Sequence, residues 1–145
     1  MSDVVGLVVA FGIVPAFFAA VDVVDVLMSG WYEIARRFPD RSPMPRARAG
    51  TYLRFGRYFV HRYQAVVGVD EAGLHVRLPL IGRFSHRPLL FPWSTVDARP
   101  PITFWFKPWD IYGVGYYTAI AIPQRSRAAA LLRDYVTNRP AVEHR

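Results

Sequence analysis

The sequence predicts an α+β fold in which an N-terminal transmembrane helix precedes a small antiparallel β-sheet or barrel closed by a C-terminal helix. Three observations predict it: an uncharged apolar run near the N-terminus, alternating segments separated by turn residues after Thr51, and a helical apolar period at the end. The chain accordingly divides into a transmembrane anchor over 1–30, an interfacial basic linker over 31–50 and a β domain with its helix over 51–145.

Composition excludes several classes of protein. Hydrophobic residues make up 52% of the 145 residues and charged residues only 20%, whereas disordered chains are rich in charge and poor in aromatics. Cysteine is absent, which excludes disulfides, thiolate metal sites and a cysteine nucleophile.

The anchor is predicted from the uncharged run Val4–Val21, which as a helix rises about 27 Å against a hydrocarbon thickness of about 30 Å. Trp31 and Tyr32 follow as an aromatic belt, and Arg36 and Arg37 begin a positive flank. The positive-inside rule then predicts a single-pass protein of the bacterial inner membrane, with the N-terminus outside and the C-terminal domain in the cytoplasm.

Two alternatives to the anchor stay open. The run is also compatible with a cleaved signal peptide, although its start is acidic, and with a buried core helix, which Pro15 favours. Within the anchor, Gly12, Ala16 and Ala20 recur every four residues, which predicts close packing against a helix of another membrane-protein subunit.

The net charge of +7 is unevenly distributed along the chain. Residues 1–35 contain no Lys or Arg, whereas residues 36–62 contain many Arg and one acidic residue. Because this basic block directly follows the apolar run, it favours anionic lipids over nucleic acid as the partner. The predicted surface contacts are Arg36, Arg37, Arg46 and Arg48.

The elements after the anchor follow from local patterns. Pro and Arg over 39–50 predict an extended linker, and the alternation over 51–60 predicts a strand. The turn residues 70–73 predict one hairpin, and the turn residues Lys107–Asp110 predict a second. Pro92 inside a short strand predicts either a sheet edge or a bulge. The apolar period over 125–138 predicts a helix capped by Ser126.

Four stretches carry a resemblance: Gly30-Trp31 with Ala35, Val69–Leu74, Arg83–Leu89 and Phe91–Ser94. Over roughly residues 30–97 they resemble a family of small uncharacterised bacterial membrane-anchored proteins. The later part, a Gly-Leu hairpin before a Phe-Pro-Trp strand and a final helix, resembles bacterial pleckstrin-homology-like (PH-like) domains. The resemblance implies a fold and a membrane location but no activity.

The polar candidates are few. Arg83, His86 and Arg87 predict an anion site for phosphate or a lipid headgroup, unless they are simply a solvated turn. The histidines lie too far apart in sequence for a metal site. Ser85-His86 and Ser94 with Asp97 are the residue types of a hydrolase, but no nucleophile elbow accompanies them. No cofactor, metal or catalytic residue is therefore predicted.

Aromatic residues crowd the second hairpin. Trp105 and Trp109, with Lys107 between them, are predicted to enter a membrane interface or to dock on a partner, unless the sheet curls and buries both faces. The predicted interface aromatics are Trp31, Trp105, Trp109 and Tyr112.

These features together predict a non-enzymatic, membrane-anchored interaction module. The favoured function is an accessory subunit that stabilises a larger bacterial inner-membrane complex, whether respiratory, photosynthetic or for transport. A stand-alone binder of anionic lipid headgroups through Arg83, His86 and Arg87 is the alternative, and a membrane-bound hydrolase is the third.

Overall fold

The computed structural model describes residues 12–56, 59, 61–79, 86–115 and 118–138, which contain three α-helices and a single sheet. Two helices precede the strands and one follows them. The helices are α1 (Val14–Ser29), α2 (Trp31–Arg37) and α3 (Arg127–Asn138). The strands are β1 (Arg48–Phe55), β2 (His61–Val69), β3 (Gly73–Arg77), β4 (Leu89–Pro92), β5 (Val96–Phe104), β6 (Lys107–Val114) and β7 (Thr118–Pro123).

The seven strands form one antiparallel sheet with the order β4-β3-β2-β1-β7-β6-β5, curved into a half-barrel. The first predicted hairpin is confirmed, because Asp70 Oδ1 accepts hydrogen bonds from the amides of Ala72 and Gly73 at 2.9 and 3.2 Å. Gly73 is required there, since a Cβ at this position would lie 2.2 Å from the carbonyl oxygen of Phe91. The short strand that contains Pro92 is confirmed as an edge strand.

The second predicted hairpin exists, but its turn was misplaced. The turn is Trp105–Phe106, and Lys107 already pairs with Phe104 as the first residue of β6. Pro108 pairs with Thr103 of β5, and ladder pairing with β7 begins only at Trp109. The proline is tolerated because its carbonyl, not an N–H, makes the bond on the other side, accepting from the Gln124 amide at 3.1 Å.

The main core fills the concave side of the sheet, where α2 and α3 cover it. Helix α3 buries Ala128, Ala129 and Leu132 against β1, β2 and β7. Its cap is confirmed, because Ser126 Oγ accepts a hydrogen bond from the Ala129 amide at 3.1 Å.

Trp31 fixes helix α2 in this core. Its indole is fully buried, and its Nε1 donates a 2.9 Å hydrogen bond to the Arg87 carbonyl. Its ring packs against Phe55 of β1, Tyr63 of β2 and His86, with centroids 4.9 to 5.4 Å apart. One side chain therefore joins α2, two central strands and the segment before β4.

The segment predicted as a linker is bonded to the sheet. Leu90 donates its amide hydrogen to Phe38 O, and Asp40 donates to Pro88 O, both at 3.0 Å, so the chain after α2 extends the edge at β4. Farther along, Val69 donates to Ala47 O at 3.0 Å, and β1 begins at Arg48. Residues 31–50 are thus part of the folded unit.

The predicted transmembrane helix is contradicted. Among the described residues, no helix is both long enough and apolar enough to cross a bilayer. Helix α1 has 16 residues, a rise of about 24 Å, and ends at Ser29; the capping residue Gly30, with a φ of 76°, separates it from α2. The fold class beginning with a membrane span, and the single-pass inner-membrane location derived from it, were therefore wrong. Residues 1–11 of the predicted anchor lie outside the described residues.

The role of Trp31 can be tested by unfolding. We expect Trp31→Ala to lower the free energy of unfolding in urea by about 3 to 5 kcal/mol, because it leaves a cavity and an unpaired Arg87 carbonyl. Tyr32→Ala is the matched control, since Tyr32 is half exposed on the same helix and its loss should cost little. Equal stability of the two variants would show that α2 is not docked.

Candidate functional site

The two described members of the predicted anion cluster do not lie together on the surface. His86 is buried, with its ring 5.1 Å from that of Trp31 and 5.0 Å from that of Tyr63. The Arg87 side chain is exposed, while its carbonyl accepts the Trp31 indole hydrogen. Arg83 lies outside the described residues. Of the two described members, one therefore faces the core and one faces solvent.

The predicted surface arginines are exposed. Arg36, Arg37, Arg46 and Arg48 all lie on the surface, and Arg37 pairs with Glu33 at 3.0 Å. Arg48 begins β1, whereas Arg54 lies near its other end, about 20 Å away. The basic block of the sequence is thus divided between two ends of the sheet.

Helix α1 presents a continuous apolar stripe to solvent. The small residues Gly12, Ala16 and Ala20 are exposed, as the packing prediction requires, although nothing in the described chain covers them. Larger apolar side chains recur beside them at intervals of three and four residues. These exposed residues are Ile13, Phe17, Val21, Val24 and Met28.

The predicted interface aromatics separate into a buried group and an exposed one. Trp31, Trp109 and Tyr112 are buried, and Trp109 retains only 7% of its exposure. Trp105 is 77% exposed, and its neighbour Phe106 is 99% exposed. The exposed aromatic surface is therefore the tip of the β5–β6 hairpin, defined here as Phe104–Lys107.

The hairpin tip has an unusual backbone. Trp105 and Phe106 have φ values of 50° and 59°, the left-handed pattern of a two-residue type I′ turn. Asn and Gly favour these positions, and other residues lose about 1 to 2 kcal/mol each in this conformation. The turn thus holds two large aromatic side chains in water on a strained backbone, a cost that nothing in the fold of the hairpin explains.

A second apolar cluster supports the tip from the convex face of the sheet. It consists of Trp109, Ile111, Ala119 and Ala121, with Phe59 and Phe104 packed against it. The Arg54 guanidinium covers this cluster, with its carbon 4.1 Å from the centroid of the Phe104 ring. Both faces of β6 are therefore buried at its centre, and only the tip extends beyond the packing.

A cavity of about 330 Å³ lies between this tip and the first two strands. Basic and aromatic side chains share its wall, and none of its described lining residues is acidic. They are Arg54, Arg62, Phe104, Trp105, Lys107 and Trp109. Arg62 is held over the Tyr52 ring at 4.5 Å. The sequence indicated the aromatics and Lys107, and it included Arg54 and Arg62 in the basic block, but it did not place them beside this hairpin. The pairing of β1 with β2 brings the two arginines side by side.

A buried polar cluster, which the sequence analysis missed, fastens the chain after α2 to β3. The Asp40 carboxylate accepts hydrogen bonds from Ser42 Oγ at 2.6 Å and from Arg77 Nη2 at 2.8 Å, and it lies 2.9 Å from His75 Nδ1. His75 Nε2 is 3.0 Å from Asp70 Oδ1, at ion-pair distance though without hydrogen-bond geometry. His75 and Arg77, the two polar residues of the five-residue strand β3, were the available sequence signal.

This cluster is structural chemistry rather than a metal site. The two carboxylates approach opposite nitrogens of the His75 ring, so they do not converge on one ion. Among the described residues, no group of three His, Asp or Glu could hold a metal. Burial raises the pKa of Asp40, but hydrogen bonds from Ser42, His75 and Arg77 outweigh it and hold that pKa below the ordinary 3.8.

The hydrolase residue types are likewise not arranged for catalysis within the described chain. His86 is enclosed by the rings of Trp31 and Tyr63, and Asp97 pairs with Arg99 at 2.9 Å. Ser85 lies outside the described residues.

No protein-family description, curated protein or solved structure matches the chain. The resemblance to a bacterial membrane-anchored family with a PH-like domain therefore stays a prediction.

The Asp40 cluster predicts a specific pH dependence of stability. We expect Asp40→Asn to lower the free energy of unfolding at neutral pH by about 3 kcal/mol, because Arg77 and His75 lose a buried carboxylate. In the wild type this contribution is present above pH 3.8 and is lost as the pH falls through the lowered pKa of Asp40. Urea unfolding from pH 7 to pH 3 should show the difference between the two proteins shrinking.

The control for this experiment is Asp134→Asn, because Asp134 is an exposed carboxylate on α3. It should change stability little at any of these pH values. A constant difference between wild type and Asp40→Asn across the whole range would contradict the assignment.

Proposed function

We propose that this protein is a non-enzymatic interaction module that binds an anionic lipid surface through the tip of the β5–β6 hairpin. The observation that carries the proposal is the exposure of Trp105 and Phe106 on a left-handed turn. Strained backbone is typical of binding and switching sites, and large aromatic side chains gain most by leaving water. A surface into which both rings insert would offset the free-energy cost of their exposure to water and of the strained turn.

The charge around the tip favours an acidic lipid surface. Arg54, Arg62 and Lys107 surround the aromatic rings, and no described carboxylate pairs with any of the three. Trp and Phe suit the interfacial region of lipids, and basic residues add about 1 kcal/mol each near an acidic surface. This arrangement supports lipid contact at the surface and involves no membrane span.

We also propose that the domain is PH-like. Its support is the order of elements: the Gly73-Leu74 start of β3, then the strand Leu89–Pro92 followed by Trp93, and a helix that ends the domain. The seven-stranded antiparallel sheet covered by α3 is compatible with this proposal.

A second function, an accessory subunit of a larger assembly, is favoured by the apolar stripe of α1. Its side chains recur with helical spacing, and a helix of another subunit would bury them. In this second proposal the protein is a subunit of an assembly, and its attachment does not depend on a membrane anchor.

The lipid proposal can be tested with Trp105→Asn/Phe106→Gly. Asn-Gly is the preferred pair for a type I′ turn. The double variant should therefore be at least as stable as the wild type, and its free energy of unfolding should be higher by up to about 2 kcal/mol. The double variant should nevertheless bind vesicles of mixed phosphatidylglycerol and phosphatidylcholine at least about tenfold more weakly in a sedimentation assay. The reason is that it lacks the two aromatic side chains that become buried in the lipid.

Tyr32→Asn is the matched control, because it removes an exposed aromatic residue away from the tip. Wild-type binding should also weaken with added salt and on vesicles of phosphatidylcholine alone. Unchanged vesicle binding by the double variant would refute the proposal. Competition by single-stranded RNA for the same residues would instead indicate nucleic acid as the partner, since exposed aromatics with arginine also suit unpaired bases.

The accessory-subunit proposal predicts a different pattern. We expect Val21→Asp/Val24→Asp to lose a stoichiometric protein that co-purifies with the wild type, because charges on the stripe oppose burial. The tip variant Trp105→Asn/Phe106→Gly should retain that protein. If the wild-type protein is purified under mild, non-denaturing conditions and no stoichiometric protein co-purifies with it, this function is excluded.

A further inference from the structure

Helix α1 carries a row of exposed small and apolar residues spaced four apart. Residues with this spacing form one ridge along an α-helix, and this row is called the α1 ridge below. Two of its larger members, Val24 and Met28, are 57% and 75% exposed. The ridge consists of Gly12, just before the helix, and of Ala16, Ala20, Val24 and Met28 within it, all of them exposed. A continuous exposed apolar surface of this kind indicates a place where another molecule binds.

The side chains of the α1 ridge increase in size from one end to the other. Gly12, Ala16 and Ala20 carry at most one side-chain carbon, whereas Val24 and Met28 are larger. Ala20 is the midpoint of the five positions. When a second copy of the ridge is laid against the first in the opposite direction about Ala20, Gly12 faces Met28 and Ala16 faces Val24. The ridge is therefore complementary in size to an inverted copy of itself.

This self-complementarity favours a second copy of the chain over a helix of a different protein. A two-fold interface uses the same patch on both subunits, so the patch must fit itself. A different partner imposes no such condition on the order of sizes along the ridge. The charged positions of α1, 22 and 25, are not members of the ridge, so its burial does not require the burial of a ridge carboxylate.

The order of sizes also favours antiparallel pairing over parallel pairing. In a parallel pair each residue faces its own copy, which leaves a gap at Gly12 and Ala16 and crowds Met28 against Met28. The position of the domain supplies a second reason. Ser29 is buried and α2 begins at Trp31, so the large end of the ridge adjoins the folded domain. Antiparallel pairing places the two domains at opposite ends of the helix pair, whereas parallel pairing brings them against each other.

We propose that α1 is the dimerisation element of this protein and that two copies pair antiparallel about Ala20. Close approach of the helices at Ala20 packs Val24 of each copy over Ala16 of the other. The inference goes beyond the lipid-binding function. It also assigns a second copy of the chain to the apolar surface that the accessory-subunit function assigns to another subunit.

Sedimentation equilibrium of the full chain tests the dimer. The wild type should approach twice the 16.6 kDa mass of one chain. Ala16→Val should weaken dimerisation about tenfold, because it crowds Val24 of the other copy at two places in each dimer. Val24→Ala should weaken it about as much, because it leaves two gaps.

The double variant Ala16→Val/Val24→Ala tests the proposed pairing itself. It exchanges the two residues of the facing pair, so their total volume is unchanged and dimerisation should return close to that of the wild type. In an arrangement where positions 16 and 24 do not face each other, the two losses add. Both residues are exposed on α1, so neither substitution is expected to disturb the core.

Cysteine cross-linking tests the register, because the chain has no cysteine of its own. Under mild oxidation, Ala20→Cys should form a disulfide-linked dimer, since position 20 meets its own copy. Ala16→Cys by itself should not, but a mixture of the Ala16→Cys and Val24→Cys proteins should give the mixed disulfide. Tyr32→Cys is the control, because Tyr32 is half exposed on α2 outside the ridge and should stay unlinked.

The inference is overturned if the wild type stays monomeric at every concentration, or if the double variant dimerises more weakly than either single variant. Efficient cross-linking of Ala16→Cys with itself would overturn the antiparallel arrangement. A monomeric wild type that retains a different protein, lost in Val21→Asp/Val24→Asp, would support the accessory-subunit function and refute the dimer. A dimeric wild type that does not bind phosphatidylglycerol vesicles would support the dimer and refute the lipid function.

Discussion

The indole of Trp31 is the contact on which the arrangement of this fold depends. It holds helix α2 against the concave side of the sheet, and its N–H donates a hydrogen bond to the carbonyl oxygen of Arg87. Once α2 is held there, the chain that leaves it must run along β4, and Asp40 comes within reach of His75 and Arg77. Helix α2 therefore forms one wall of the core. Its position also determines where α1, which precedes it, leaves the domain.

Local signals in the sequence located one turn and one helix cap correctly, although they misplaced the turn of the second hairpin. Asp70 closes its turn and Ser126 caps its helix through contacts that span three residues or fewer, which is why spacing alone located them. Long-range contacts could not be located in this way. A tryptophan directly after an apolar run is typical of a membrane-interface belt, and the sequence predicted that environment for Trp31. Its partners instead lie on β1, β2 and the segment before β4, and only these long-range contacts place Trp31 in the core.

The candidate site shows the same division. Aromatic density indicated the β5–β6 hairpin, but Trp109 and Trp105, four residues apart, end in opposite environments. The difference arises because Trp109 lies where β6 pairs with both β5 and β7, so Ala119 and Ala121 provide a small-residue floor for a second cluster. Trp105 lies beyond the end of β7 and has no such floor. The register of three strands, which the residue pattern does not encode, decides which aromatic remains exposed.

The strained turn and the cations beside it would have a common explanation in the proposed contact with an anionic lipid surface. A turn with Asn and Gly would fold more easily than Trp105–Phe106, whose left-handed backbone weakens the isolated domain. The lipid surface would remove the two rings from water and attract Arg54, Arg62 and Lys107, which have no acidic partner among the described residues. If folding were the only requirement, the two aromatic residues of the turn could be replaced without loss.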